Sequence, residues 1–126
     1  MSREIKFRVW DKLAERFIRC DEGYQGHYVL SLKGEFHNLQ NGSGGDECIV
    51  QQWTGLKDKN GVEIYEGDIV KATSDQYENE NFVGKVIFDE GCFLTWINKN
   101  DIRGIWGEDD IEVIGNIFEN SELLEA

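Results

Sequence analysis

The 126-residue chain contains no proline, where average usage of about 5% would place roughly six. Its turns must therefore be made by glycine, asparagine and aspartate, and glycine is plentiful, at 14 residues. No apolar run approaches the roughly 20 residues of a membrane span, so no transmembrane helix is expected. The first twenty residues alternate charged and apolar types without a continuous apolar core, so no secretory signal is expected there. The three cysteines, Cys20, Cys48 and Cys92, are odd in number, widely spaced and lack a CxxC pair. That argues against a disulfide framework and against a structural zinc site. Each is expected to be reduced, and buried or half-buried as a small apolar side chain, which suits a reducing cytoplasm.

The sequence is equally poor in recognisable chemistry. No GxxxxGK[ST] phosphate loop is present. Gly42-Ser43-Gly44-Gly45 superficially suggests a glycine cradle, but no helix follows whose N-terminus would hold an anion. Asn41-Gly42-Ser43 matches a glycosylation sequon, which has no meaning without a secretory route. His27 and His37, the only histidines, stand on separate segments and read as surface or edge residues. Asp75, Tyr77 and Asn79 faintly echo a calcium loop, but Glu80 and Val86 stand where its glycine and its bidentate glutamate belong. No cysteine or serine lies in a recognisable nucleophile context. With 25 acidic residues, some carboxylates fall close together by chance, and a two-carboxylate hydrolase is the enzymatic alternative that remains. The expectation is a non-enzymatic protein without cofactor or metal.

Hydrophobic residues make up 40% and aromatics 12%, enough for one folded domain. The net charge of −12 is unevenly spread: residues 1–63 carry 9 basic and 10 acidic groups, residues 64–126 carry 4 and 15. The second half, at −11, would repel a phosphate backbone, so direct nucleic-acid binding is not expected. The locally basic run Arg3, Lys6, Arg8, Lys12, Arg16 and Arg19 reads as a solvated face.

The apolar pattern has period two almost throughout, the signature of strands. It predicts strands over Ile5–Trp10, His27–Leu32 and Cys48–Thr54, with a weaker segment around Phe36 and Leu39. Residues Asn41–Asp46 form a glycine-rich loop. Asp58-Lys59-Asn60-Gly61 is a turn, because Asn-Gly tolerates the positive φ of tight turns. Further strands are predicted over Ile69–Ala72, Phe82–Phe88, Cys92–Ile97, Ile102–Trp106 and Ile111–Ile117. Thr73–Asn81 reads as a polar loop and Asp89-Glu90-Gly91 as a hairpin turn. The chain closes on a short helical turn capped by Asn120 or Ser121, with Glu122 near its positive end and Leu123 and Leu124 as its buried contact. The class is thus mainly β: a small SH3-like, barrel-type sheet over residues ~62–118, with extra N-terminal strands and a short C-terminal helical turn. One domain over 1–126 is expected, with sub-parts 1–54 and 55–126, the first holding the glycine-rich loop 41–46 and the second the acidic barrel.

Trp10, Trp53, Trp96 and Trp106 read as core or subunit-interface residues, since aromatics favour strands and fill small barrels. Trp106, between Gly104 and Gly107 and beside Glu108, Asp109 and Asp110, is the expected exposed exception. These four residues, Trp106, Glu108, Asp109 and Asp110, are the candidate partner-binding group.

Three segments carry a resemblance. Residues Arg3–Lys12 (REIKFRVWDK), Gln52–Val70 (QWTGLKDKNGVEIYEGDIV) and Val113–Asn120 (VIGNIFEN), the last followed by Glu122–Glu125, resemble the YopX-like family of phage and prophage proteins from end to end. Ser121 departs from the proline often found there in the family, and Glu15–Glu47 matches nothing distinctive. The resemblance implies a phage or prophage origin, a location in the host-cell cytoplasm and a mainly β fold. It carries over no reaction and no catalytic residue. Within the motifs, Gly55, Asn60, Gly61 and Gly67 read as turn residues, and Asp68 as an acceptor for backbone hydrogen bonds where a strand begins. The leading functional expectation is an accessory protein acting through protein–protein contacts, as a homo-oligomer or with a host or phage protein. The alternatives are an acidic nucleic-acid mimic that blocks a host DNA-binding or defence protein, and an enzyme with an unrecognised site.

Overall fold

The computed structural model describes residues 4–18, 28–38, 48–74, 80–104 and 111–124. They are arranged in two compact units: Lys6–Gln52, and Trp53–Ala126 together with Met1–Ile5. The fold is mainly β, and among the described residues the only helical element is a 3-10 turn at Ser121–Leu124.

In the first unit, β1 (Phe7–Asp11) lies between β2 (Arg16–Phe17) and the first half of β5 (Cys48–Lys57), antiparallel to both. β3 (Tyr28–Leu30) and β4 (Phe36–Asn38) form a separate hairpin. The turn between β1 and β2 is set by Asp11, whose Oδ1 accepts the N–H groups of Leu13 (2.9 Å) and Ala14 (3.2 Å). Glu15 completes it at φ 54°. Strand alternation puts Trp10 opposite Phe17, and their rings meet edge to face at 5.0 Å. The Arg8 guanidinium stacks 4.6 Å over the same Phe17 ring, while its Nε donates to Oε1 of the buried Gln51 at 2.8 Å. The cationic side of β1 is therefore partly tied down within the sheet. Val9 and Trp10 are buried, whereas Ile5 and Phe7 stand exposed.

The second unit holds a five-stranded antiparallel sheet in the order β10-β9-β8-β7-β11. Its strands are β7 (Asp68–Ser74), β8 (Glu80–Asp89), β9 (Cys92–Asn98), β10 (Asp101–Gly104) and β11 (Ile111–Asn116). The sheet is curled, in the manner of a half-barrel. The second half of β5 pairs with β6 (Glu63–Tyr65). Residues in register share a face of a sheet, and the core follows from that rule: Ala72 lies between Ile111 and Phe82, and Val70 lies beside Val113. Ile64, Val70, Ala72, Val86 and Ile111 are buried together, with Phe82 and Val113 packed against them. Burying each branched side chain contributes about 1.5–3 kcal/mol. No side chain fits at Gly84, since a Cβ there would lie 2.7 Å from the Trp96 carbonyl oxygen and 2.8 Å from Thr95 Cγ2.

The structure departs from the sequence reading at several points. β7 and β8 extend further than expected, with Thr73 opposite Asn81 and Ser74 opposite Glu80. Polar residues next to the connection of a hairpin carry no apolar alternation, and backbone pairing there continues without it. The two-residue β2 and three-residue β6 are too short to show a period. Asn120 stands at the start of the final turn, its carbonyl accepting the Leu123 N–H at 3.0 Å, but its side chain turns back to β11, where its Oδ1 accepts the Asn116 N–H at 3.2 Å. Cys92 is exposed and Cys48 half-buried. Cys92 stands beside a two-residue hairpin turn, opposite Asp89.

Candidate functional site

The longest resemblance segment, residues 52–70, spans the end of β5, the hairpin to β6 and the start of β7. Its geometry starts from a bulge. Between Trp53, opposite Tyr65, and Lys57, opposite Glu63, the register shifts. Gly55 supplies the positive φ there, at 90°. The Thr54 hydroxyl donates to the Ile64 carbonyl (2.8 Å) and accepts the Leu56 N–H (3.2 Å), and the Trp53 indole donates to the Leu56 carbonyl (2.9 Å). The bulge turns Leu56 outward, 37% exposed, and Val62 across the hairpin is 48% exposed.

The hairpin loop is organised by Asp58. Its backbone N–H donates to the Val62 carbonyl (2.8 Å), and its carbonyl accepts the Gly61 N–H (3.0 Å). With Gly61 at φ 82°, this is a type I turn closed by a left-handed glycine. Asp58 Oδ1 accepts the N–H groups of Asn60 (2.8 Å) and Val62 (2.9 Å). The same turn recurs at Ser31-Leu32-Lys33-Gly34-Glu35: Ser31 Oγ accepts Lys33 N–H (3.3 Å) and Glu35 N–H (3.0 Å), and Gly34 has φ 84°. The difference is informative. A serine has one oxygen for this task and a carboxylate has two. The second oxygen of Asp58 accepts the N–H of Val113, 55 residues away, at 2.9 Å. Beside it, Lys59 N–H donates to the Ile111 carbonyl (2.9 Å), and Lys59 Nζ lies 3.5 Å from Glu112 Oε2. Asp58 is only 3% exposed. Burial alone would raise its pKa, but the Val113, Val62 and Asn60 N–H donors and the Lys59 ammonium outweigh burial and hold the carboxyl below its ordinary value.

Gly67 makes the next junction. At φ 84° it donates its N–H to the Val86 carbonyl (2.7 Å) and accepts the Ile117 N–H (2.9 Å). Asp68, buried at the start of β7, accepts the Tyr65 N–H at 2.8 Å. After β11, Asn116 Oδ1 accepts the N–H groups of Phe118 (3.0 Å) and Glu119 (2.9 Å). The 52–70 and 113–120 segments are therefore bound to each other, through Asp58 to Val113 and through Gly67 to Ile117. Thr54, Asp58, Asp68 and Asn116 use their side chains to hold backbone.

Among the sequence-predicted site residues, Gly55, Asn60, Gly61, Gly67 and Asp68 fall in this assembly. Trp106, Glu108, Asp109 and Asp110 lie outside the described residues, as do Cys20, His27 and the loop 41–46. Trp10 is buried, and Trp53 and Trp96 are half-buried; Lys85 Nζ sits 4.7 Å over the Trp96 ring. No group of three or more potential metal ligands is found among the described residues. Sequence reasoning missed the reach of Asp58. The Asp-x-Asn-Gly turn signal was visible, but the distant donor was not.

The YopX protein family model matches residues 6–125. The chain belongs to the YopX family. A curated relative, the SPbeta prophage-derived uncharacterized protein YopX of Bacillus subtilis (strain 168), is 41% identical over 69 residues. That match takes in 50% of this chain and 51% of the relative, about half the length of each. Two solved structures resemble the chain over nearly its whole length. Protein EF1440 from Enterococcus faecalis has a TM-score of 0.63 and 27% identity, covering 98% of this chain and 99% of its own. Protein yopX from Bacillus subtilis has a TM-score of 0.62 and 28% identity, covering 95% of each. Of the three segments that carry the family resemblance, 52–70 and 113–120 build turns and junctions of the second unit, and 3–12 holds β1 of the first.

Proposed function

We propose that this chain is a non-enzymatic accessory protein of a phage or prophage, acting in the host cytoplasm through protein–protein contacts. The observation that carries the reading is the β5–β6 hairpin. Its bulge and Asp58 turn are held by side chain-to-backbone hydrogen bonds, and they present Leu56 and Val62 to solvent on one rigid element. Exposed apolar side chains on a pre-ordered hairpin bind a protein surface without a large ordering cost. The prophage origin of the curated relative supports the biological setting. No helix among the described residues is long and apolar enough to cross a membrane.

The test is a tagged pull-down from prophage-carrying host lysate at low and high salt, comparing the parent with a Leu56→Glu/Val62→Glu variant. A host or phage protein, or a second copy of the chain, that is retained at both salt levels and lost in the variant supports the reading. A partner released by salt and indifferent to the variant would point instead to the acidic-mimic alternative, which rests on the −11 charge of residues 64–126. A parent protein that sediments as a monomer and retains nothing that the variant does not would refute the proposal.

A further inference from the structure

We propose that Asn60 is a site of spontaneous covalent modification, deamidation to aspartate and isoaspartate, and that the Asp58 turn governs its rate. Asn60 is followed by glycine and both residues are exposed, so water and base reach the pair. Glycine has no side chain to shield its own nitrogen, and asparagine is among the thermolabile residues. In the reaction the Gly61 nitrogen attacks Asn60 Cγ and forms a new C–N bond. The bond from Cγ to the side-chain nitrogen breaks, and that nitrogen leaves as ammonia with the proton given up by Gly61 N–H. Water then opens the cyclic imide at either carbonyl, leaving a carboxylate at residue 60.

The folded geometry opposes the first step. The Gly61 N–H that must be surrendered is donated to the Asp58 carbonyl at 3.0 Å. The Asn60 N–H is held on Asp58 Oδ1 at 2.8 Å, and Val62 N–H on the same oxygen at 2.9 Å. The other carboxylate oxygen is anchored on Val113. Ring closure therefore waits on local opening of the turn. The isoaspartate product routes the main chain through the former side chain, adding one backbone carbon between residues 60 and 61. The loop then no longer spans Asp58 to Val62 in register, so the N–H groups that Asp58 gathers are displaced and its bond to Val113 is strained, leaving the Lys59 N–H on the Ile111 carbonyl as the remaining backbone tie to β11. Modification would act as a one-way loosening of the Asp58 contact between the hairpin and β11.

The experiment follows the mass gain and isoaspartate content of the Asn60 peptide in the full chain, in mildly alkaline buffer and in denaturing urea. The other Asn-Gly pair, Asn41-Gly42, serves as the comparator in urea. Asn60 is expected to convert at least about tenfold more slowly in buffer than in urea. Asp58→Ala, shown to be folded by circular dichroism, should raise the buffer rate to within about threefold of the urea rate. Asp58→Ser, which keeps an acceptor for the turn as at Ser31, should stay near the parent. Failure of Asn60 to convert in urea, equal parent rates in buffer and urea, or a folded Asp58→Ala with an unchanged rate would each overturn the proposal. If Asp58→Ala does not fold, the parent comparison decides, together with Asp58→Ser.

Discussion

Replacing Asp58 separates the two jobs its carboxylate performs. Oδ1 organises the local turn, and Oδ2 reaches Val113 across 55 residues of sequence. A hydrogen bond to a charged group contributes about 1.5–3 kcal/mol, and a buried donor left without a partner costs about 1–3 kcal/mol. Asp58→Ser keeps one oxygen for the turn, in the geometry that Ser31 already demonstrates, and loses the Val113 contact together with the charge that faces Lys59. Its expected cost is about 1.5–2 kcal/mol. Asp58→Asn keeps the same oxygen but points an amide N–H at the Val113 N–H, two donors face to face, for about 2–3 kcal/mol. Asp58→Ala abandons all three N–H groups and should cost about 4 kcal/mol. The assay is urea unfolding followed by circular dichroism and tryptophan fluorescence, with the slope checked for constancy across the series. The diagnostic is the order Ser, then Asn, then Ala. If Asp58→Ser were as damaging as Asp58→Ala, the turn would not be separable from the tie to β11. A cost under about 1 kcal/mol for Asp58→Ala would mean the three bonds are replaced by water at no loss.

Three further outcomes are expected. The folded-state pKa of Asp58 lies below its unfolded value, so its stabilisation is complete above about pH 4 and is lost as pH falls through the folded value; the urea midpoints of the parent and Asp58→Ser should converge as pH is lowered below about 4, and a constant gap would contradict the shift. Gly84→Ala places a Cβ 2.7 Å from the Trp96 carbonyl oxygen, and since main chain cannot yield as a flexible side chain does, a loss of about 2–3 kcal/mol in thermal or urea unfolding is expected; a neutral result would show that β8 and β9 can separate at that point. Glu90, at φ 49° in a two-residue turn with Gly91 at φ 81°, occupies a conformation costing a non-glycine residue about 1 kcal/mol; Glu90→Asn, the residue this turn type prefers, should raise stability by about 0.5–1 kcal/mol, and a decrease would place the glutamate side chain in a compensating contact.

Strand content and most strand positions were readable from the chain because alternation is a local property. Each residue's face is decided by its neighbours two positions away, so the five strands between Asp68 and Asn116 announce themselves without reference to their partners. The positive-φ turns were readable for the same reason: Gly61 follows an asparagine, which favours tight turns, and Gly91 stands two residues after Asp89 between two alternating runs. Extensions such as Thr73–Ser74 against Glu80–Asn81 were hidden, because pairing there is a backbone affair in polar sequence. The exposure of Cys92 was hidden too, since it depends on what lies opposite in space.

By itself, the sequence determined that this is a mainly β chain of the YopX type, with turns built from glycine, asparagine and aspartate in place of proline. Only the tertiary structure decided which residues of those motifs work together. Asp58 and Val113, or Gly67 and Ile117, are about fifty residues apart in the chain, and each pair is joined by a single hydrogen bond at 2.9 Å. No local pattern encodes such a bond. A backbone N–H is carried by every residue here, so which one reaches a given oxygen is set by the path of the intervening strands. The physical role of the carboxylate at position 58, as an internal anchor where a serine would have sufficed for the turn alone, emerged only when its second oxygen had been placed.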